Sequence, residues 1–303
     1  MYLIGMQRIC ILGPGRMGGA LAIALAEAST DLSITQLIAR RSLEAAEAIA
    51  SRIEPRPEVV LSDEINSIEA DIVLITTGDP EIRSASEWLS KRVKTSTVVL
   101  HTSGSLASTE LSACAEMGCP TGSVHPLVPI SEPVSGSKLF RAAYFCVEGD
   151  SVAQTVAEKV VSSLGGNKIS IDTALKPLYH AAAVTSAGHV VALFSIAIEM
   201  LSKCGVDLKD AKKILLPLTQ RAVENLCTQT PETAVTGSFA RLDTASLDRH
   251  LASFEGKLPP EFVALFLLLG ERSVDLAEQA GGNHYMAVTM RNRINMAKSK
   301  LEC

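Results

Sequence analysis

Arg8-Ile-Cys-Ile-Leu-Gly-Pro-Gly-Arg-Met-Gly-Gly-Ala-Leu-Ala-Ile-Ala-Leu-Ala26 is the stretch on which the fold turns. Its first residues, 8–12, form a short apolar run that reads as a buried strand. The chain then passes through Gly13-Pro14-Gly15-Arg16-Met17-Gly18 into an alanine-rich helical pattern. The G-x-G-x-x-G spacing at such a junction has a physical reason. Gly13 permits a tight turn, Gly15 lets the backbone approach a pyrophosphate, and Gly18 lets the helix pack closely on the strand. The helix N-terminus adds its N–H groups and its dipole, both of which attract phosphate. The motif therefore predicts a dinucleotide site built from Gly13, Pro14, Gly15, Arg16, Met17 and Gly18.

Outward from this motif, short apolar runs alternate with helical patterns. Residues 32–39, 71–76, 97–101 and 121–125 read as buried strands, and 18–28, 42–52, 80–91 and 107–117 as amphipathic helices. Residues 143–148 and 168–171 read as closing strands around a helix at 151–164. Strand and helix in turn imply βαβ units, hence an α/β fold with a doubly wound parallel sheet of Rossmann type. Past Asp172 the apolar runs become long and helix-periodic, over 175–203, 208–228, 244–254, 260–279 and 285–299. Two domains are expected: a nucleotide-binding Rossmann-like domain at 1–172 and an all-α domain at 173–303 for substrate and dimerisation.

Composition narrows the function. At 303 residues, with 47% hydrophobic and 20% charged residues, the chain is long enough and apolar enough for two packed cores. Its 28 basic against 33 acidic residues give a net charge of −5, and aromatics are only 4%, so neither the charge nor the stacking platform of a nucleic-acid binder is present. The 7 cysteines contain no C-x-x-C pair, and no His/Cys/Asp/Glu pattern suggests a metal. Reduced thiols and a start without a targeting segment point to the cytoplasm. Residues 177–198 carry no Asp, Glu, Lys or Arg, yet hold His180, Thr185, Ser186, His189 and Ser195. This mixture suits a central helix buried on every side better than a membrane span. Together with the apolar run at 262–269 it exceeds what one small bundle can cover, so a homodimer through the helical half is expected.

The cofactor type is read at the end of the second strand. An NAD-binding chain places an acid about 20 residues past the glycines to hold the ribose 2′-OH. Here the position reads Ala39-Arg40-Arg41-Ser42, with no acid. Two guanidiniums and a hydroxyl suit the 2′-phosphate of NADP. Thr77 and Gly78, in the loop after residues 71–76, and Ser103, in the loop after 97–101, complete the candidate cofactor contacts.

In order along the chain stand Gly13-Pro-Gly-Arg-Met-Gly18, His101-Thr-Ser-Gly-Ser105, Gly122-Ser-Val-His-Pro-Leu127, Tyr179-His-Ala-Ala-Ala183, and Thr236-Gly237 with Arg241 and Asp243. In this series the chain resembles the bacterial Rossmann-like proteins whose second half is a domain of unknown function. Those proteins are relatives of the deazaflavin-dependent NADP oxidoreductases and of the 6-phosphogluconate dehydrogenase superfamily. The resemblance implies an NADP-binding domain followed by a helical domain like the C-terminal one of 6-phosphogluconate dehydrogenase, often dimeric, with a cleft between the two. Three positions depart from that family's pattern: His189 stands for Asn, Ser238 for Pro, and Leu242 for Gly.

The catalytic candidates are histidines. His125 and His101 both sit at predicted strand ends, where open α/β sheets present ligand groups. His125 is favoured, because Pro126 turns its backbone out of the strand. His180 lies in the first helical turn after Lys176-Pro177, where the positive end of the helix dipole favours neutral imidazole able to donate a hydrogen bond. Lys176 and Arg241, the latter steadied by Asp243, are candidates to hold an anionic substrate. Asp79 is expected to cap the helix that follows it. The expected function is NADPH-dependent hydride transfer to a small carbonyl or imine compound, such as a 2-oxo or 3-oxo acid. A non-catalytic NADP sensor and an exchange with reduced deazaflavin share the same motifs.

Overall fold

Gln7–Leu12 (β1) runs through the Gly13 turn into Arg16–Glu27 (α1), and the alternation continues with Leu32–Ala39 (β2), Leu43–Ala50 (α2), Glu58–Leu61 (β3), Ile72–Ile75 (β4), Ile82–Leu89 (α3), Val98–His101 (β5), Ser112–Glu116 (α4) and Thr121–Pro126 (β6). Pro133–Gly136 (α5), Tyr144–Gly149 (β7), Ser151–Ser163 (α6) and Asn167–Ile169 (β8) close the sheet. The computed structural model describes residues 6–28 and 31–301. Residues 1–5, where no targeting segment is expected, and Cys303 lie outside them.

The strands order as β3-β2-β1-β4-β5-β6-β7-β8 in a single sheet. Every neighbouring pair is parallel except β6 with β7, so the expected parallel sheet carries one antiparallel seam. Strands β1 and β4 are almost wholly buried because helices cover both faces. Alternate residues then feed separate cores. Ile9 and Ile11 join the face covered by α1, α2 and α6, whereas Cys10 and Leu12 join the face covered by α3 and α4. Local signals set the helix ends: Ser42 and Asp150 cap α2 and α6 by accepting backbone N–H bonds.

The chain separates into two compact units, 1–188 and 189–303. The division falls later than the change of pattern at Asp172, because Lys176–Ser186 (α7) packs with the sheet. The second unit runs from Gly188–Ser202 (α8), which starts at the boundary, through Leu208–Leu226 (α9), Pro231–Ala234 (α10), Thr244–Phe254 (α11), Pro260–Gln279 (α12) and His284–Ser299 (α13). Asp243 and Asn283 cap α11 and α13, and Pro260 opens α12. Leu247, Leu267, Val274, Met290 and Ile294 form its core.

One expectation is overturned here. The uncharged stretch was to be a helix buried on every side, yet it breaks at Ala187 into α7 and α8, and Lys176 is the one buried residue in the two. Thr173–Ser202 has the length and hydropathy, 1.8, of a membrane span, and none of its most apolar window is buried. Residues 262–269 divide differently: Val263 and Leu267 are core, while Leu268 and Leu269 are exposed.

Candidate active site

The glycine loop follows from steric necessity. Gly13 has φ +91°, and a Cβ there would lie 2.9 Å from Thr77 Cγ2. At Gly18 a Cβ would stand 2.2 Å from Thr76 Oγ1 and 2.6 Å from the Gly13 carbonyl. Thr76, at the end of β4, donates to that same carbonyl at 2.7 Å and locks the loop to the neighbouring strand. Gly15 is the contrasting case: its nearest neighbour would be 3.9 Å away, so one side of the loop is open. No side chain caps α1, and no acid stands in its first turn. Arg16 is exposed beside the loop, Pro14 is buried under it, and Met17 packs against the sheet core.

Around this cradle the remaining cofactor candidates take different places. Thr77 Oγ1 is buried without a partner, so a ligand hydroxyl or phosphate would satisfy it. Gly78 begins the 3-10 turn Asp79–Glu81. Asp79 does not cap the next helix as expected: it accepts a bond from Ser105 Oγ at 2.7 Å. Ser103 is buried, and its hydroxyl accepts from the backbone N–H groups of Ser105 and Leu106, so it shapes its loop. At the end of β2, Arg40 and Arg41 both meet Glu81, an acid from the β4 loop, and Ser42 serves as cap. The open loop, the unpartnered Thr77 hydroxyl and the arginines fit a dinucleotide phosphate.

A second cluster grows from sheet register. Leu12, Ile75, His101, Ser123 and Glu148 are successive partners across β1, β4, β5, β6 and β7, so they share one face. The row turns from apolar to polar at His101. Lys176, at 0% exposure, lowers its ammonium onto the polar end. Its Nζ lies 2.7 Å from Ser123 Oγ and 3.1 Å from Glu148 Oε1. Glu148 also accepts from the Ser108 N–H at 2.8 Å and the Ser108 hydroxyl at 2.7 Å. Every charge in this buried pair is thus compensated. Burial pulls the Lys176 amine down from its usual range, and Glu148 opposes the shift. The expectation that Lys176 meets an anionic substrate is corrected, because its ammonium is buried and already paired with Glu148 and Ser123.

Two residues past Ser123 on the same face comes His125. Its Nδ1 lies 2.9 Å from Tyr179 Oη, and its ring centroid is 5.6 Å from that of His180. Gly104 is the wedge between the imidazoles: a Cβ there would be 2.5 Å from His180 Nδ1 and 2.7 Å from His125 Nε2. His180 Nδ1 is buried and has no partner. Burial first, then His180 and Lys176, pull the His125 pKa down to about 4, so the ring is neutral near pH 7. Burial also pushes the Tyr179 phenol up, which keeps its proton in place. His101 is buried, accepts the Ser103 N–H at Nδ1, leaves Nε2 without a partner, and is likewise pulled down to about 4.

Sequence reasoning missed Tyr179, Gly104, Glu148 and Glu81. An acid closing the apolar run Phe145-Cys-Val-Glu148 was the available signal, because a buried strand holds a carboxylate only with a partner. The other candidates stand apart. Arg241 is exposed in the second unit, and Asp243 caps α11 through Ser246, with the Arg241 charge a minor influence on its carboxylate. His250 packs against Phe254 and Phe266, and His189 is exposed. Among the described residues, no group of three or more His, Cys, Asp or Glu could hold a metal.

Residues 5–126 match the Rossmann-like domain family, and residues 143–273 match a domain of unknown function, DUF2520. The chain joins a Rossmann-like domain to a DUF2520 domain. Among solved structures, a candidate NADP oxidoreductase from Bacteroides fragilis is similar over 88% of this chain and 97% of its own, with 20% identity and a TM-score of 0.70. A protein from Thermotoga maritima matches over 90% and 99%, at 18% identity and TM-score 0.68. The 1-pyrroline-5-carboxylate reductase of Streptococcus pyogenes matches over 97% and 98%, at 16% identity and TM-score 0.55. These likenesses establish the shared fold. No curated protein matches the chain. The DUF2520 match begins at β7, inside the sheet, so the polar cluster draws on both: His101, Gly104, Ser108, Ser123 and His125 from the Rossmann-like part, and Glu148, Lys176, Tyr179 and His180 from DUF2520.

Proposed function

We propose that this chain is an NADPH-dependent oxidoreductase that reduces a small carbonyl or imine compound. One observation carries the reading. A neutral His125, oriented by Tyr179, and an unpartnered His180 Nδ1 converge at the same end of the sheet as the glycine loop. A purely structural cluster would satisfy its own polar atoms. The structures with this fold include proteins named as an NADP oxidoreductase and a 1-pyrroline-5-carboxylate reductase, which supports the class and leaves the substrate open.

NADPH, when bound, would supply the hydride. Gly13–Gly18 would hold its pyrophosphate and Arg40 and Arg41 its 2′-phosphate, with the unpartnered Thr77 hydroxyl beside the loop. In this reading Tyr179 donates to His125 Nδ1, which leaves the imidazole proton on Nε2, on the Gly104 side. The two imidazoles then offer hydrogen bonds to the oxygen or nitrogen that gains negative charge. Lys176 and Glu148 hold α7 against the sheet so that His180 and Tyr179 keep their places. The second partner is another copy of the chain, joined through α8 and α9, whose apolar residues are uncovered. The free, mostly buried cysteines suit a reducing cytoplasm.

The test is a panel of carbonyl and imine substrates with NADPH. His180→Ala should lower turnover by about 10²–10³ and leave NADPH affinity nearly unchanged, the scale of one lost oxyanion donor. Full turnover in that variant would pass the donor role to His125. Absence of turnover on every substrate, with NADPH instead altering association with another protein, would make the chain a sensor.

A further inference from the structure

The end of β2 lacks the acid of an NAD site, but the β4 loop delivers one to the same place. Glu81 Oε1 lies 3.1 Å from Arg40 Nη1 and 3.5 Å from Arg41 Nη2. One carboxylate therefore answers two guanidiniums, and the spot keeps one net positive charge. Solvent reaches the group, since Arg41 is 89% exposed and the side chains of Arg40 and Glu81 are about a third exposed. Exposed ion pairs of this kind are weak and exchange readily. A phosphate dianion accepts from the same guanidiniums with more charge and in bidentate geometry.

We propose that Glu81 competes with the cofactor's 2′-phosphate for Arg40 and Arg41, and so limits how strongly NADPH is preferred over NADH. The inference rests on the cofactor reading above. Binding of the 2′-phosphate draws both arginines away and leaves Glu81 facing a like charge. No nearby cation on its own helix relieves it, because Arg83 is held by Glu110 at 2.9 and 3.1 Å. NADH brings no 2′-phosphate and leaves the pairs as they are. Ser42 accepts the Glu44 N–H as the cap of α2 and keeps its hydroxyl proton free to donate to a phosphate.

The experiment is a fluorescence titration of the full chain with NADPH and with NADH. Glu81→Gln should tighten NADPH by about 3- to 10-fold, the summed worth of two exposed pairs, and change NADH by less than about 2-fold. In an Arg40→Ala/Arg41→Ala background the same substitution should have a clearly smaller effect, about 2-fold or less, since only the repulsion between Glu81 and the phosphate is then left to relieve. Unchanged or weaker NADPH binding in Glu81→Gln, or an equal gain for NADH, overturns the competition while the cofactor reading stands. A wild-type chain that does not bind NADPH more tightly than NADH overturns both.

Discussion

Each of the two buried histidines, His101 and His125, ionises near 6.5 when free and near 4 in the folded chain. Burial is the main cause for both, followed by Lys176 for His101 and His180 for His125. Between those values the unfolded chain takes up protons that the native chain refuses, so stability falls as pH drops through this window and is unaffected above it. Each histidine should remove on the order of 3 kcal/mol by pH 4. Urea unfolding at pH 7 and pH 4.5 measures the loss, and His125→Asn should remove about half of it. An undiminished loss in that variant would show that other groups drive the acid sensitivity. The same refusal of protons keeps His125 a hydrogen-bond donor of fixed form over the whole neutral range.

At the scale of elements, α7 is fastened to the sheet at its start by the Lys176 ammonium seated on Ser123 and Glu148, and again where Tyr179 Oη meets His125 Nδ1. Lys176→Met should cost about 3–5 kcal/mol, because it leaves the buried Glu148 carboxylate without its cation, with Ser108 as its remaining hydrogen-bond partner. Adding Glu148→Leu should restore most of that loss. Denaturant unfolding decides it: a cost below about 1 kcal/mol for the single variant would mean that Glu148 finds other relief. Elements of this kind were unevenly legible. The run 32–39 and the helices 244–254 and 260–279 could be read from their periodicity. The strand β3 could not: it is short, follows Pro55 and Pro57, and has one neighbour. Nor could the reversal of β7, since strand direction leaves no mark on composition. His125 and His180 could each be singled out by position in an element, but Gly104, Tyr179 and Glu148 enter only when register brings distant segments side by side. The apolar character of residues 177–198 was plain, while the surface that covers them is not a property of the segment.

For the molecule as a whole, that surface is the open question with a measurable answer. Leu178 is 68% exposed, Val191 71% and Leu218 69%, an apolar surface that the proposed second copy would cover. A membrane is a poor cover for the Thr173–Ser202 stretch, since the residues that open α7 are fastened to the sheet. Light scattering at tens of micromolar, on the order of assay concentrations, should give twice the chain mass, and Val191→Glu with Leu218→Glu should shift it to a monomer. A monomeric wild-type chain would sink the homodimer.

The site that takes residues from both matched segments also bears on inheritance. A gene rearrangement joining residues 1–126 of one relative to the remainder of another would transmit Ser108 and His125 from one parent, and Glu148 and Tyr179 from the other. Such a hybrid would keep its glycine loop and its helices, yet Glu148 would meet a stranger's hydroxyl and His125 a stranger's phenol. The junction would thus cut through the cluster as well as through the sheet between β6 and β7, and a change at His125 should be tolerated best in company with one at Tyr179.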